Sequence, residues 1–454
     1  MATPLDTGSA LTRLTSMVDV KECYDVPAPE LLPLQLEAAN DLFQDRLGRI
    51  RLLQNRADEA GITEVKTRED LVPLLFAHTA YKSYPEGWLV EQKWDRLGRW
   101  LGTISSNPVE NVDLQDVSDI DDWLGRLERV GHFLCCSSGT TGKSAMMNSS
   151  QADLEWNRRE ATRSFSWGSG SLPGDARRMY GLAPIATAPR NLTIRDALID
   201  GFTSPDHEPF LYPVPPITIG QITSMVTLRK AMADGDARPA DMARFEATAA
   251  ARQQIMEQAV TISAEALVAG RNEKMLLSGM FASLHPIAVA VREMGFCGSD
   301  FHPENTIYIG GGLKGANLPP DYFEYIVETF NLAPERVFQM YGMQEINAAM
   351  PRCSAKRYHV PPWLMLLLLD ESGENLLPAS AGEVEGRAAF FDLSLDGRWN
   401  GVISGDKIVA DYNPCACGNR SPSIRDNISR YSDLPGGDKI SCSGTTDAYV
   451  RGIS

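Results

Sequence analysis

Positive charge is scarce in this chain. Its 454 residues carry 43 lysines and arginines against 59 aspartates and glutamates, a formal net charge of −16. A protein that gripped nucleic acid through its phosphates would need the opposite balance, so no nucleic-acid partner is expected and an anionic substrate must meet a local positive site. Long apolar runs are missing too. The longest, VPPWLMLLLLD, is bounded by prolines and an aspartate and falls far short of the ~18 residues of a spanning helix. No membrane partner is expected, and the run reads as a buried strand. The opening MATPLDTGSALTRLTSMVDV has no basic segment followed by an apolar one, so no secretory signal is expected. Eight cysteines in so long a chain are too few for a disulfide scaffold. Their grouping at 135/136, 353 and 415/417 suggests free thiols or metal ligands in a reducing cytoplasm. Only six histidines occur, with no Gly-x-Ser-x-Gly elbow and no Ser/His/Asp spacing, so nucleophilic hydrolase chemistry has no support.

What is present points to several subdomains, since single cores stop growing near ~250–300 residues. The stretch ELLPLQLEAANDLFQDRLGRIRLLQNRADEAGI spaces its apolar residues as helices do and closes on Gly61. Thr67, followed by Glu69 and Asp70, starts another helix. WLGRLERVGHFLCC leads from helix into a strand over His132–Cys136, and QADLEWNRREATRSFSW returns to helix. Residues 225–300 read as helical and rich in alanine. NTIYIGGG is a strand entering a glycine turn. PPDYFEYIVETFNLAPERVFQMYGMQE then gives helix, turn, strand and loop, the alternation of parallel α/β sheets. After residue 360 short strands broken by Gly, Pro and Asp take over. The expected organisation is an N-terminal helical and α/β part over 1–130, an α/β core over 131–350, a β-rich subdomain over 351–442 and a closing segment over 443–454.

The densest cluster of unusual residues is CCSSGTTGKSAMM, Cys135–Met147. A Walker A loop needs glycine, four residues, then Gly-Lys-Ser/Thr, so that successive amides cradle phosphates. Gly142-Lys143-Ser144 is there, but Ser137 stands where the first glycine belongs, which tells against a P-loop kinase. Ser137, Ser138, Gly139, Thr140, Thr141, Gly142 and Lys143 offer hydroxyls, flexible amides and one ammonium. Those are the donors a loop would use to grip the β- and γ-phosphates of ATP; a Gly/Ser-rich surface turn is the alternative. Cys353, His359, Cys415 and Cys417 form a second cluster, whose thiolates and imidazole suit a structural Zn²⁺. Reduced thiols packed in a β subdomain are the alternative there. Cys135, Cys136 and His132 read as interior residues.

SSGTTGKS closely resembles the phosphate-binding loop of the adenylate-forming superfamily, the acyl-CoA synthetases and adenylation domains, with Ser144 where proline is commoner. QMYGMQE resembles that superfamily's Tyr-Gly-x-Thr/Ser-Glu segment. By this resemblance Tyr341, with Gly342 after it, lies by the adenine, and Gln344 stands in for the hydroxyl near the α-phosphate. Glu345 coordinates the Mg²⁺ of ATP, a hard cation that takes carboxylate oxygens and keeps several waters. TIYIGGGLKG takes the place of the strand and glycine turn against the adenine, which implicates Gly311 and Gly312. VISGDKIV matches the segment whose aspartate, here Asp406, holds the ribose hydroxyls; taken alone, an Asp after Gly reads as a plain turn. NPCACGNRSPSI is similar to the Cys-x-Cys-Gly-Arg-x-x-Pro-x-Ile of phenylacetate–CoA ligase and its relatives, some of which bind zinc through a similar Cys, His and Cys-x-Cys arrangement. The N-terminal helix looks like that branch as well, and the likeness runs over roughly residues 30–452.

The resemblance implies an α/β fold: an adenylate-forming large domain of helix-flanked mixed β-sheets plus a smaller β-rich subdomain. It implies ATP-dependent activation of a carboxylic acid, aryl or small acyl, to acyl-AMP with release of pyrophosphate. Lys143 and Glu345 would serve catalysis, and the acid would sit between Met179–Pro189 and the Gly310–Gly312 turn. CoA or another acceptor would take the acyl group. CSGTTDAYVRGIS resembles the family's hinge, with Asp447 at the hinge aspartate and two residues after Gly452. The mobile C-terminal domain that supplies a further lysine is therefore expected to be absent from this chain, with adenylation slow and transfer to a thiol slower still or absent without it. An amine or protein acceptor, or nucleotide binding without turnover, stays open, and a homodimer is one assembly compatible with this reading.

Overall fold

A computed structural model describes residues 8–85, 87–136, 144–313, 316–378, 382–435, 437–438 and 440. Helices fill most of the first 130 residues: α1 (Ala10–Ser16), α2 (Ala28–Leu47), α3 (Arg51–Ala60), α4 (Arg68–Leu71), α5 (Gly87–Val90), α6 (Trp94–Ile104) and α7 (Ile120–Arg129), with the short strand β1 (Phe76–Ala77) among them. Their limits follow local chemistry. Gly61 closes α3 at φ 68° with its N–H on the carbonyls of Ala57 and Asp58, a left-handed turn without steric cost for glycine. Thr67 and Asp70 bond each other's backbone amides at the start of α4, which satisfies donors the helix itself cannot.

β2 (Phe133–Cys136) and β3 (Met146–Ser149) form an antiparallel pair in which Cys136 faces Met146. α8 (Gln151–Ser169), capped reciprocally by Ser150 and Asp153, leads into a parallel sheet. There β4 (Arg178–Gly181), β5 (Met275–Gly279), β6 (Thr306–Ile309) and β7 (Val337–Phe338) lie side by side in that order. α9 (Pro189–Phe202), α10 (Ile219–Asp234), α11 (Pro239–Gly270), α12 (Phe281–Glu293) and α13 (Tyr322–Thr329) connect the strands. Phe165, Leu198 and Phe202 of α8 and α9 pack with Leu276 and Phe338. Leu267, Leu284, Ile287 and Ile326 of α11–α13 pack with Leu277 and Ile307. Both faces are thus covered, as parallel sheets require. β5 corrects the reading of 225–300 as helical: a run as short as Met275–Leu277 has no period by which a strand is told from a buried helix.

β8 (Met340–Tyr341) pairs with β9 (Met350–Pro351). The rest of the chain builds a seven-stranded sheet in the order β10 (Arg357–His359), β14 (Ser423–Arg425), β13 (Gly401–Asp411), β12 (Glu383–Asp392), β11 (Leu364–Leu369), with β1 and β15 (Ser429–Arg430) also on β13. β11, LMLLLL, is buried along its whole length, as its composition implies. β1 runs parallel to β13, Phe76 facing Val402. The N-terminal helices therefore share one core with this sheet, to which Leu53, Trp100, Trp363, Phe390 and Trp399 all belong. Among the described residues no helix is long and apolar enough to cross a membrane. Asp447 and the hinge-like segment 443–454 lie outside the described residues.

Candidate active site

β4, β5 and β6 are parallel, so their C-terminal ends open on one edge, where α/β sheets leave a crevice for ligands. The Leu182 N–H bonds the Ser278 carbonyl at 2.7 Å and the Gly310 N–H bonds that of Gly279 at 2.9 Å. The chain leaving β4, the expected acid-pocket segment, is thereby kept near the glycine turn after β6. Gly311 adopts φ 84°, a backbone geometry that suits glycine, and both Gly311 and Gly312 are exposed. β7 and β8 carry the chain on to Tyr341.

Tyr341 is 8% exposed, and its hydroxyl donates to Asp406 Oδ2 at 2.8 Å. Two residues singled out on separate segments thus meet. Burial, followed by the Asp406 charge, holds the Tyr341 phenol well above its usual pKa, so it remains a donor. Asp406 is no turn residue: it lies inside β13 opposite Arg430, whose Nε is 3.8 Å from its Oδ1. The plain-turn reading fails because β15 pairs with the strand at this point. The Glu345 carboxylate acts on both Tyr341 and His78. His78, which the sequence did not single out, packs on Gly405, where an added methyl would stand 3.4 Å from His78 Cε1. Its Nδ1 is buried without a hydrogen-bond partner among the described residues. Burial lowers its pKa against the pull of Glu345. Tyr341, Glu345, Asp406 and His78 therefore share one neighbourhood. Ser137–Lys143 lie outside the described residues; next to them, the Tyr84 hydroxyl donates to the Ser144 carbonyl at 2.7 Å. Cys135 and His132 are interior, and His132 bonds the Pro108 carbonyl and Asn148.

The loop that carries Glu345 is held by charges the sequence reading missed. Arg190 Nη1 donates to the carbonyls of Met343 and Ile346 at 3.1 and 2.6 Å, and its Nη2 to that of Asn347 at 2.8 Å. Arg398 donates to the Gln344 carbonyl at 2.9 Å. Asp392 Oδ2 accepts the N–H groups of Asn347 and Ala348 at 2.7 and 2.8 Å, and Glu160 Oε1 accepts that of Ala349 at 2.8 Å. All four side chains are buried. Burial pushes Glu160 up to about 8 and raises Asp392 as well. One signal was available: Asp153, Asn157 and Glu160 recur at helical spacing on α8, where polar residues occupy the buried stripe.

No protein-family model matches the sequence, and no curated protein does. Solved structures do. 2-Hydroxyisobutyryl-CoA ligase in the postadenylation state, in complex with R3-HIB-AMP, superposes with a TM-score of 0.54 at 14% identity, over 91% of this chain and 70% of that one. An open conformation of the same ligase with 2-HIB-AMP and CoA gives 0.54 at 13% identity, over 91% and 77%. This chain has an adenylate-forming ligase fold. The expected fold class holds over that span; at 14% identity the likeness is one of fold.

Within this ligase fold the Cys₃His cluster assembles. Cys353 follows β9, His359 ends β10, and Cys415 and Cys417 follow β13. Their ligand atoms all lie within 4.8 Å of one another, with Cys353 Sγ 3.8 Å from Cys415 Sγ and Cys417 Sγ 3.3 Å from His359 Nε2. Tight turns gather them: Lys356 has φ 58° and Gly418 φ 98°. His359 Nδ1 bonds Ser421 Oγ at 2.9 Å, which orients the ring as metal-ligating histidines are oriented. Burial pushes the Cys353 thiol up to about 12. Burial pushes Cys417 up too, but hydrogen bonds from His359 and Asn419 outweigh it and bring that thiol to about 6. Four such ligands can hold a tetrahedral metal. A cavity of about 670 Å³ opens beside the cluster, lined by Trp167, Tyr322, Phe323, Cys353 and Cys417 among others, and contains none of the residues expected to hold the nucleotide.

Proposed function

We propose that this chain binds Mg-ATP and a carboxylic acid and joins them as acyl-AMP with release of pyrophosphate, with CoA the acceptor of the acyl group in a complete form of the enzyme. The observation that carries the reading is the Tyr341–Asp406 hydrogen bond beside Glu345, in a chain with the adenylate-forming ligase fold. In this reading Asp406 accepts from the ribose hydroxyls, and Tyr341, anchored by it, flanks the adenine. Gly311, Gly312 and Gly342 lack a Cβ and let the base approach their backbone. Lys143 and the hydroxyls and amides of Ser137–Gly142 take the β- and γ-phosphates, and Gln344 offers an amide to the α-phosphate. Fixed donors there stabilise the charge that pyrophosphate carries away.

Glu345 fits Mg²⁺, since one carboxylate on a tightly held loop is what a cation that keeps most of its waters uses. The bound ion would neutralise phosphate charge. The acid, aryl or small acyl, lies between Met179–Pro189 and the Gly310–Gly312 turn. Its carboxylate oxygen attacks the α-phosphorus while the bond to the β-phosphate oxygen breaks. A thiolate sulfur then attacks the acyl carbon and AMP leaves. A solved 2-hydroxyisobutyryl-CoA ligase holds 2-HIB-AMP and CoA in its thioesterification state, which supports CoA as acceptor. The Cys-x-Cys cluster favours the phenylacetate–CoA ligase-like branch. It also fits a structural Zn²⁺: its 3.8 Å Sγ–Sγ separation is the edge of a tetrahedron with Zn–S bonds of about 2.3 Å. Reduced thiols of this kind favour the cytoplasm.

Acid-dependent exchange of labelled pyrophosphate into ATP across a panel of aryl and short acyl acids tests the reading, with acyl-CoA and acyl-hydroxamate followed in parallel. Exchange with at least one acid and formation of its acyl-CoA are expected. Hydroxamate without acyl-CoA would move the acceptor to an amine or a protein. Tight ATP binding with no exchange across the panel would remove catalysis.

A further inference from the structure

Between β8 and β9 the chain forms neither helix nor strand, yet Ile346, Asn347, Ala348 and Ala349 are all buried. A buried segment without a ladder must bond its backbone to side chains, and those of Glu160, Arg190, Asp392 and Arg398 do so. Asn347 goes further, because each of its polar groups is engaged. Its N–H meets Asp392 and its carbonyl meets Arg190. Its side-chain Nδ2 donates to Asp153 Oδ1 at 2.7 Å and to the Ser394 carbonyl at 3.4 Å, and its Oδ1 accepts from Asn157 Nδ2 at 3.3 Å. Asp153 in turn takes the backbone N–H groups of Asp396 and Gly397, both at 2.8 Å. One side chain thus ties the start of α8 to the turn before β13.

Glu345 stands two residues earlier, between Gln344 and Ile346, whose carbonyls are both held. Arg398 and Arg190 thus fix the chain on either side of Glu345, and the Asn347 side chain, two residues on, ties that loop to α8 and to the turn before β13. We propose that Asn347 is a positioning residue that aims Glu345 at the cation on the nucleotide; this rests on the reading of Glu345 given above. Removing the amide takes one donor from Asp153 and one acceptor from Asn157 at a buried site, which is costly. The loop keeps its arginine and carboxylate anchors but loses its side-chain tie to α8, and Glu345 loses its fixed aim while the adenine and ribose contacts stay.

The test is calorimetric ATP binding to the full chain with excess Mg²⁺ and with EDTA, on wild type, Asn347→Ala and Asn347→Ser. Leu52→Ala, a core truncation on α3, serves as a control for lost stability. In wild type Mg²⁺ is expected to tighten binding. In the Asn347 variants that gain is expected to shrink about tenfold, while affinity in EDTA stays within about twofold. Leu52→Ala should keep the full gain whatever its melting temperature. An unchanged gain in a folded Asn347 variant overturns the proposal and leaves the reading of Glu345 standing. A wild type with no gain from Mg²⁺ sinks that reading, and the role of Asn347 with it. Should the alanine variant not fold, the serine variant decides in the same way.

Discussion

Glu160 should leave a visible mark on the pH dependence of stability. It is 2% exposed and accepts two donors on one oxygen, the Ala349 N–H and Trp363 Nε1. Burial raises its pKa from the ordinary 4.5 to about 8. The unfolded chain therefore releases this proton first. Between the two values the folded state binds more protons, so stability falls as pH rises from about 4.5 to about 8 and is level beyond. The full displacement is worth on the order of 5 kcal/mol. Glu160→Gln keeps a carbonyl oxygen for both donors and cannot ionise, so the variant should lack this slope. Urea unfolding of both proteins between about pH 5 and pH 8, with m-values compared, measures the difference. Wild type should lose roughly 3 kcal/mol more than the variant across that range. Asp392 is raised by burial as well and is present in both proteins. Profiles parallel to within ~0.5 kcal/mol would refute the reasoning, because they would mean that Glu160 ionises alike in both states.

Three further outcomes are expected. Tyr341→Phe removes the hydrogen bond to Asp406 and should weaken ATP binding about fivefold, in line with one lost hydrogen bond; unchanged calorimetric affinity would separate Tyr341 from the nucleotide. Cys417→Ser should lower bound zinc from about one ion per chain to near none, read by atomic absorption, and a wild type purified without zinc under non-chelating conditions would count against the metal. Gly397→Ala would place a methyl 2.7 Å from the Ser150 backbone nitrogen and 2.8 Å from Asp153 Oδ2. The crowding should cost about 2 kcal/mol in urea unfolding, and a loss below ~0.5 kcal/mol would show that the turn before β13 yields easily.

Much of the fold was legible because its signals are local. The five leucines and one methionine of β11 admit no exposed face, Gly61 ends α3 at a positive φ, and the Thr67 cap is a short-range bond. The Cys₃His set was legible as chemistry, since few other combinations place three thiols and an imidazole on two short segments. β5 was not: Met275–Gly279 follows a long helix and carries no period of its own. The charges around the Glu345 loop were also missed. In sequence Arg190, Asp392 and Arg398 look like ordinary surface residues, and only burial reveals that they stand in for a missing backbone ladder.

By itself the sequence determined residue chemistry and local conformation: the hydroxyl- and glycine-rich loop, the thiol pairs, the strands and the helix caps, all set by neighbours within a few positions. Tertiary structure alone decided which distant groups meet. Tyr341 reaches Asp406 across 65 residues, and Glu160 reaches Ala349 across 189. Such bonds depend on how one sheet is set against another, through contacts such as β1 on β13. That placement is a property of the whole packed core, and no window of local sequence contains it.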